Sequence, residues 1–273
     1  MVSLKRQLAL AMMLTPAAIS VSASPTTSGG HNNMPARALT NTSVPVRFGM
    51  VLFPAFTPLD VFGPLDMLNS FSLTQPLELA LIAKTLDPVT TRLRNHQQAN
   101  SNFSQSVVPT HTFANPPADL DVLFVPGGAG TRAVKSPDPE LRLTELIAYI
   151  RTVYPSLKYL VSVCTGAQLL AQAGVLDGRT ATTNKAAFNS TAAFGPRTYW
   201  KAHARWVVDG NIYTSAGVTA GIDATLQFIE DIWGAERARS ISAGIEHVRH
   251  LTPDDDPFSA QFGLVDIPPV EQV

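Results

Sequence analysis

Continuous apolar runs alternate along the chain with segments whose apolar residues have helical spacing. The continuous runs predict buried strands, because a strand covered on both faces lacks the polar alternation of a half-exposed strand. They span 46–53, 77–83, 120–126 and 157–163. The spaced runs predict helices at 59–69, 139–153, 165–173 and 217–233, with one more short helix after them. Pro64 is expected only near the first turn of its helix, because proline lacks a backbone donor. This alternation predicts an α/β fold with a mostly parallel central sheet covered on both faces.

Shorter elements are expected between these segments. Residues 86–119 are polar and interrupted by proline, which predicts short strands or a hairpin at one edge, with 104–108 the best strand candidate. Residues 180–183 predict a short strand. Residues 205–215 predict a hairpin that turns at Asp209-Gly210, a pair suited to tight turns. No internal repeat and no second folded domain is expected.

The N-terminus has the pattern of a secretory signal peptide. Lys5 and Arg6 are basic, residues 8–19 are apolar but too short to span a bilayer, and 21–23 form a small-x-small cleavage site. We therefore predict that residues 1–23 are removed and that the protein enters the secretory pathway and is secreted. The alternative is an uncleaved signal anchor.

The rest of the chain divides by composition into three parts. Residues 24–45 are rich in Ser, Thr, Pro, Asn and Gly, which predicts a disordered linker. Residues 46–250 are expected to form the folded domain, and 251–273 an acidic, Pro-rich tail. Asn-X-Ser/Thr triplets predict glycosylation sites, which begin at Asn41, Asn102 and Asn189.

Composition narrows the class of partner and cofactor. The chain has 273 residues, 45% hydrophobic, and a formal net charge of −1, which gives no electrostatic reason to expect nucleic acid or an anionic membrane. After signal cleavage no segment is apolar enough to cross a membrane. A single cysteine cannot build a zinc site, and Gly127-Gly128 lacks the Lys-Ser/Thr of a phosphate loop. We expect no metal and no cofactor.

Cys164, the only cysteine in the chain, lies between a predicted strand and a predicted helix with no loop between them. Such a junction places one residue on a strained elbow with its side chain exposed. The N–H groups and dipole of the following helix are expected to lower the thiol pKa and favour the thiolate. The alternatives are a small buried hydrophobe or a thiol that pairs two chains.

Five motifs resemble the DJ-1/PfpI superfamily over roughly residues 46–235. They are Phe48-Gly-Met-Val-Leu-Phe-Pro, Leu59-Asp60-Val-Phe-Gly-Pro64, Asp121-Val-Leu-Phe-Val-Pro-Gly-Gly128, the run from Cys164 to Thr183 and the run from Trp206 to Asp223. The pattern is most similar to the isocyanide hydratase branch and to the amidotransferase-like domains of some AraC-type regulators. The resemblance implies a flavodoxin-like α/β sandwich, a small-molecule substrate and a homodimer.

The resemblance also implies roles for residues of this chain. Cys164 is the expected nucleophile and Asp60 the acid beside it, where the two groups share a proton; the alternative for Asp60 is a helix N-cap. The backbone N–H of Thr165, with that of Gly127 or Gly128, is expected to bind developing negative charge. The alternative for the two glycines is a plain tight turn after a strand.

One position departs from the family. Many relatives have a histidine where this chain has Asn184, so a Cys–His dyad for peptide cleavage is not expected. Asn184 is kept as a candidate for orienting the substrate. Three other histidines are expected to be structural, namely His203, His247 and His250. Four aromatic residues are candidates for lining the pocket: Phe56, Phe62, Phe188 and Trp200.

Three functions remain open from the sequence. An isocyanide hydratase-like lyase needs a nucleophile and an acid, both of which the resemblance supplies. A glyoxalase-type activity commonly needs a histidine as well, which counts against it. A redox- or ligand-sensing module without turnover would use only an accessible thiol. A DNA-binding regulator is not expected, because about 40 residues follow the last long helix, too few for a paired helix-turn-helix domain.

Overall fold

A computed structural model describes residues 43–92, 101–133, 138 and 141–270. All of these residues belong to one compact unit. The predicted signal peptide, Asn41 and the part of the predicted linker before residue 43 lie outside the described residues.

A seven-stranded sheet forms the centre of the described chain. The strands, in chain order, are β1 Arg47–Val51, β2 Glu78–Ala83, β3 Val89–Thr90, β4 Ser106–Val107, β5 His111–Thr112, β6 Val122–Val125, β7 Tyr159–Val163, β8 Thr180–Ala181, β9 Tyr199–Trp200, β10 Trp206–Asp209 and β11 Ile212–Ser215. The order in the central sheet is β10-β11-β7-β6-β1-β2-β5. Every neighbouring pair is parallel except β10 and β11, which form an antiparallel hairpin.

Helices cover both faces of this sheet. They are α1 Pro58–Ser72, α2 Thr144–Val153, α3 Gly166–Gln172, α4 Phe188–Ala192, α5 Ala220–Trp233, α6 Ala235–Gly244 and α7 Phe258–Gln261. Helices α1, α5 and α6 pack against one another, and α3 packs against α2 and α4. The predicted α/β sandwich with a mostly parallel central sheet is therefore confirmed.

The long predicted elements are also confirmed, with their ends moved by a few residues. The four continuous apolar runs are β1, β2, β6 and β7, and they contribute fully buried side chains such as Met50 and Leu123. The hairpin turns where the sequence predicts, at Gly210, whose φ of 60° favours glycine. Gly174, with φ of 78°, follows the end of α3. Between 86 and 119, β4 includes part of the predicted 104–108 strand and pairs with β3, while β5 joins the sheet edge.

Two helix predictions were wrong in detail. Pro64 lies in the interior of α1, because the helix already begins at Pro58. Its missing N–H leaves the carbonyl of Asp60 without the usual partner one turn later. Helix α2 begins at Thr144, because Leu143 has φ −98° and ψ 11°, outside the helical range.

The described part of the tail, 251–270, packs on the domain. Pro253 O accepts the Arg205 N–H at 2.6 Å, and Ile267 forms an isolated antiparallel bridge with Trp200. Asp256 is only 3% exposed. The tail segment thus has hydrogen-bond partners on the domain, at Trp200 and Arg205, and the division of the chain at residue 250 stays a prediction.

Candidate active site

Three loops meet at the carboxyl ends of adjacent parallel strands. β1 leads to α1 and Asp60, β6 leads to Gly127 and Gly128, and β7 leads to Cys164. Since β1, β6 and β7 are neighbours, the loops that follow them lie side by side. This edge is where ligands bind in open α/β sheets.

Cys164 occupies the predicted elbow. Its φ of 57° places it in the left-handed region, which costs a residue with a side chain roughly 1–2 kcal/mol. Two hydrogen bonds hold this conformation: the Cys164 N–H donates to Ser215 O at 3.1 Å, and Thr183 Oγ1 donates to Cys164 O at 2.9 Å. The expected exposure of the side chain was wrong, because Cys164 is only 5% exposed and the elbow holds the sulfur inside a closed site.

Glycines allow the loops to approach this closely. A Cβ on Gly166 would lie 2.2 Å from Val125 O, so α3 could not pack against the end of β6. A Cβ on Gly127 would lie 2.5 Å from Thr165 N and 3.0 Å from Asp60 Oδ2. Both glycines are therefore needed for close packing, which is a stronger role than the plain turn considered for Gly127.

Asp60 lies in the first turn of α1, fully buried, with its side chain directed at the loop after β6. Its Oδ2 accepts the Gly127 N–H at 2.9 Å. The N-cap position belongs to Thr57, so the capping alternative for Asp60 was wrong. Oδ1 has no aligned hydrogen bond among the described residues, although interaction with Cys164 acts on the carboxyl pKa. The Asp60 carboxyl and the Cys164 thiol are therefore close together without an aligned hydrogen bond between them.

Burial dominates the titration of both groups. Desolvation raises the pKa of Asp60 to about 7, against the opposing effects of the Gly127 N–H and Cys164. Desolvation and the charge of Asp60 raise the pKa of Cys164 to about 12. The expected lowering of the thiol pKa was therefore wrong, because burial outweighs the donors near the sulfur. Above about pH 7, where Asp60 is ionised, the pair holds one proton, on the sulfur.

Thr165 connects the elbow to the loop after β6. Its Oγ1 accepts the Gly128 N–H at 3.0 Å and lies 3.2 Å from Thr131 Oγ1. Both the hydroxyl and the backbone N–H of Thr165 interact with the sulfur and act to lower its pKa. The hydroxyl proton has a weak acceptor in Gly128 O at 3.4 Å, and rotation of the hydroxyl would direct it to the sulfur while the oxygen still accepts from the Gly128 N–H.

The amides of Gly127 and Gly128 already have acceptors in this structure. Gly127 N–H donates to Asp60 and Gly128 N–H donates to Thr165. Binding of negative charge by either amide stays a prediction and would require it to leave its present acceptor. The Thr165 N–H faces the sulfur and is the better placed donor.

Asn184 lies beside the thiol from the other side of the site. Its Oδ1 accepts the Ala187 N–H at 3.2 Å, and interaction of its side chain with the sulfur acts to lower the thiol pKa. The three histidines have structural partners. His203 contacts Ser259 Oγ at 2.9 Å, and the other contacts are His247 with Asp223 and His250 with Asp255.

Sequence reasoning missed three residues that support the site. Thr183 bonds the carbonyl of Cys164, and Thr131 contacts the hydroxyl of Thr165. Lys185 is 4% exposed although lysine is normally at the surface. The segment around Lys185 is polar and rich in threonine, so the sequence gives no signal that this lysine is buried. Thr183 ends one of the family motifs and Thr131 comes shortly after another, so the motifs could have drawn attention to both threonines.

Three of the four aromatic candidates belong to the core. Phe56, Phe188 and Trp200 are at most 1% exposed, so they do not line an open pocket in this structure, while Phe62 is 41% exposed. A cavity of about 130 Å³ lies beside Phe53 at the ends of β1 and β2. None of the predicted site residues lines it.

Other sequence predictions concern the surface and bound groups. Asn102 and Asn189 are exposed, and their glycosylation stays a prediction. Within the described ranges, no group of three or more His, Cys, Asp or Glu side chains is placed to hold a metal ion. No helix among the described residues is long and apolar enough to cross a membrane.

The fold and site define a flavodoxin-like α/β domain with a cysteine on a strand-to-helix elbow and a buried carboxyl beside it. The DJ-1/PfpI family profile matches residues 47–231. The chain belongs to the DJ-1/PfpI family.

Several relatives extend this finding. The chain is 33% identical to an isonitrile hydratase of Pseudomonas putida over 222 residues, covering 81% of this chain and 87% of that protein. It is 26% identical to the HTH-type transcriptional regulator GbdR of Pseudomonas aeruginosa, covering 75% of this chain and 50% of the regulator. The crystal structure of a THiJ/PfpI family protein from Pseudomonas syringae has 30% identity and a TM-score of 0.62, covering 83% of this chain and 85% of that one.

Proposed function

We propose that the protein hydrates a small molecule at Cys164, and that the substrate is an isocyanide converted to an N-substituted formamide. The observation that carries the proposal is the buried Asp60–Cys164 pair, in which a carboxyl with a pKa of about 7 lies beside the nucleophile. The similarity to an isonitrile hydratase over most of both chains supports the choice of substrate.

The first half of the reaction forms a thioimidate. The Asp60 carboxylate takes the proton of the Cys164 thiol as the sulfur attacks the terminal isocyanide carbon. The protonated carboxyl then gives this proton to the same carbon, which becomes a C–H. An isocyanide and a thiol thus add together without loss of any atom, and Asp60 returns to its ionised form.

The second half uses water. Water adds to the thioimidate carbon, with Asp60 as the base, and a proton is transferred to the nitrogen. The C–S bond then breaks, the sulfur regains its proton, and the N-substituted formamide leaves. Thr165 is placed to donate to the sulfur through its hydroxyl and N–H, which stabilises charge on the sulfur as the C–S bond breaks.

Features of the site also disfavour a glyoxalase-type activity and an oxidation sensor. A glyoxalase-type reaction commonly uses a histidine, and Asn184 lies beside the sulfur instead. An oxidation sensor needs an exposed, ionised thiol, whereas Cys164 is 5% exposed with a raised pKa. A ligand-binding module is the second candidate, favoured by the similarity to GbdR over 75% of this chain.

The test is turnover of a simple isocyanide by the purified protein. We expect formamide from cyclohexyl isocyanide, detected by mass spectrometry, with no product from C164A and at least about 10²-fold slower turnover by D60N. D66N is the matched control, because Asp66 is an exposed carboxyl on the same helix. Binding without product would support the ligand-binding module, and product from C164A would exclude Cys164 as the nucleophile.

The location, glycosylation and oligomeric state of the protein are proposals as well. We propose secretion after cleavage of residues 1–23, glycosylation of the three sequons, and a homodimer without nucleic acid or membrane partners. Sequencing the N-terminus of the protein from its native host would test the cleavage. Glycosidase treatment of that material and its mass in solution would test the glycans and the dimer.

A further inference from the structure

The segment after α6 returns to the part of the chain that lies beside the thiol. The family match ends at residue 231, and the described chain continues to 270. Pro253 bonds the backbone of Arg205 at 2.6 Å, and Ser259 contacts His203 at 2.9 Å. Between these two contacts, Asp256 lies against Lys185 in the loop between β8 and α4.

Lys185 and Asp256 form a buried ion pair there. Lys185 Nζ lies 3.1 Å from Asp256 Oδ2, and the two side chains are 3% and 2% exposed. The same nitrogen donates to Thr182 Oγ1 at 2.9 Å and to Ala204 O at 2.8 Å. Burial lowers the pKa of Lys185, and the charge of Asp256 together with a hydrogen bond to its carboxylate opposes that lowering.

Lys185 is adjacent in sequence to residues that contact Cys164. Thr183 Oγ1 donates to the Cys164 carbonyl at 2.9 Å, and the Asn184 side chain interacts with the sulfur. Asn184 begins the 3-10 turn Lys185–Ala187 and accepts the Ala187 N–H. The orientation of Asn184 is therefore set by the turn that the ammonium of Lys185 anchors.

The stability of the fold does not by itself explain this pair. Burying two charges costs desolvation energy that a single contact repays poorly, and apolar residues of similar volume often stabilise as well or better. The pair does fix one ammonium among three acceptors within a short, irregular segment. Fixed geometry is what a side chain facing a nucleophile requires.

We propose that Asp256 is a positioning residue for the Cys164 site, which holds Asn184 against the sulfur through Lys185. The catalytic consequence rests on the proposed hydratase function. The structural claim concerns the environment of the thiol alone, so it can be tested without any substrate.

The S–H stretching band in the infrared spectrum is a direct probe of that environment. Cys164 is the only cysteine and stays protonated at neutral pH, since its pKa is raised to about 12. The band therefore belongs to one residue and disappears in C164S, which supplies the baseline. Its position depends on the hydrogen bonds around the sulfur, which thermal unfolding does not report.

We expect N184A to shift this band, because the sulfur loses its polar neighbour from the Lys185–Ala187 turn, and D256N to shift it in the same direction. The double variant N184A/D256N should match N184A alone, because Asp256 acts through Asn184. The matched control is D254N, since Asp254 lies on the same segment and pairs at 3.3 Å with the exposed Lys201. D254N should leave the band unchanged.

Two results would overturn the proposal: an unshifted band in folded D256N, or shifts from N184A and D256N that simply add. If D256N does not fold because Lys185 is left unpaired, K185M/D256N replaces it with the same expected shift, and an unshifted band there rejects the proposal equally. Failure of the isocyanide assay would leave this result intact, because no substrate enters the measurement.

Discussion

The Gly127 N–H donates to Asp60 Oδ2 over 2.9 Å, in a site where the carboxyl is fully buried. This bond favours the ionised carboxyl, but it does not offset the cost of burial, so the Asp60 pKa is still raised to about 7. The balance leaves a carboxyl able to take and return a proton near neutral pH beside a thiol that keeps its own.

The pH dependence of turnover should follow the ionisation of Asp60. In the proposed reaction the starting form has an ionised Asp60 and a protonated Cys164, so kcat/KM should rise with pH through about 7 and then reach a plateau. No fall is expected below pH 10, because the pKa of Cys164 is raised to about 12. A profile that falls between pH 6 and 8 would instead assign the essential acid to a protonated Asp60. Circular dichroism at each pH would control for unfolding.

The free energy of unfolding should fall as the pH rises, whereas turnover should rise. The Asp60 pKa is higher in the folded protein than in the unfolded chain, so its ionisation costs stability as pH rises from about 4 to about 7. D60N removes that cost and keeps an oxygen to accept the Gly127 N–H. We expect its free energy of unfolding at pH 8 to exceed that of the natural protein by roughly 2–4 kcal/mol. The difference should vanish near pH 4 in urea titrations, and D66N should show no such trend.

The sequence predicts the parts of the site that depend on chain order. A β-branched run that passes directly into a helix leaves only one residue for the turn, so the elbow at Cys164 was predictable and has φ of 57°. Gly127 and Gly128 come shortly after β6, and residues without a side chain at the end of a strand allow a neighbouring loop to approach the backbone closely. Strand order, which brings these loops together, followed from the resemblance and was not evident in the hydrophobic pattern.

The electrostatics of the site were not predictable in the same way. The expected lowering of the Cys164 pKa considered only the adjacent helix, whereas burial and the charge of Asp60 act through space and reverse its direction. Lys185 and Asp256 are far apart in the chain, and each is of a type usually found at the surface. Their pairing becomes visible only when the C-terminal segment is placed against the domain.

Gly127→Ala tests whether the close approach of the loops is essential. The added Cβ would lie 2.5 Å from Thr165 N and 2.6 Å from Thr165 Oγ1, so the elbow or the β6 loop must move. We expect a loss of about 2 kcal/mol in the free energy of unfolding and about 10²-fold in kcat from misplaced reacting groups. Gly244→Ala is the control, because no heavy atom lies within 4 Å of its new Cβ. Wild-type turnover by G127A would show that the site tolerates the displacement.

Thr165→Val removes the hydroxyl of Thr165 and keeps the volume of the side chain. Valine leaves the Gly128 N–H without its acceptor at 3.0 Å and removes a donor to the sulfur. We expect the free energy of unfolding to fall by about 1–3 kcal/mol and kcat by about 10²-fold, with most activity restored in T165S. Thr191→Val is the matched control, since the Thr191 hydroxyl is buried with no hydrogen-bond partner among the described residues, and it should lose neither stability nor turnover. If T165V lost stability but kept its kcat, Thr165 would hold the Gly128 loop in place without acting on the sulfur.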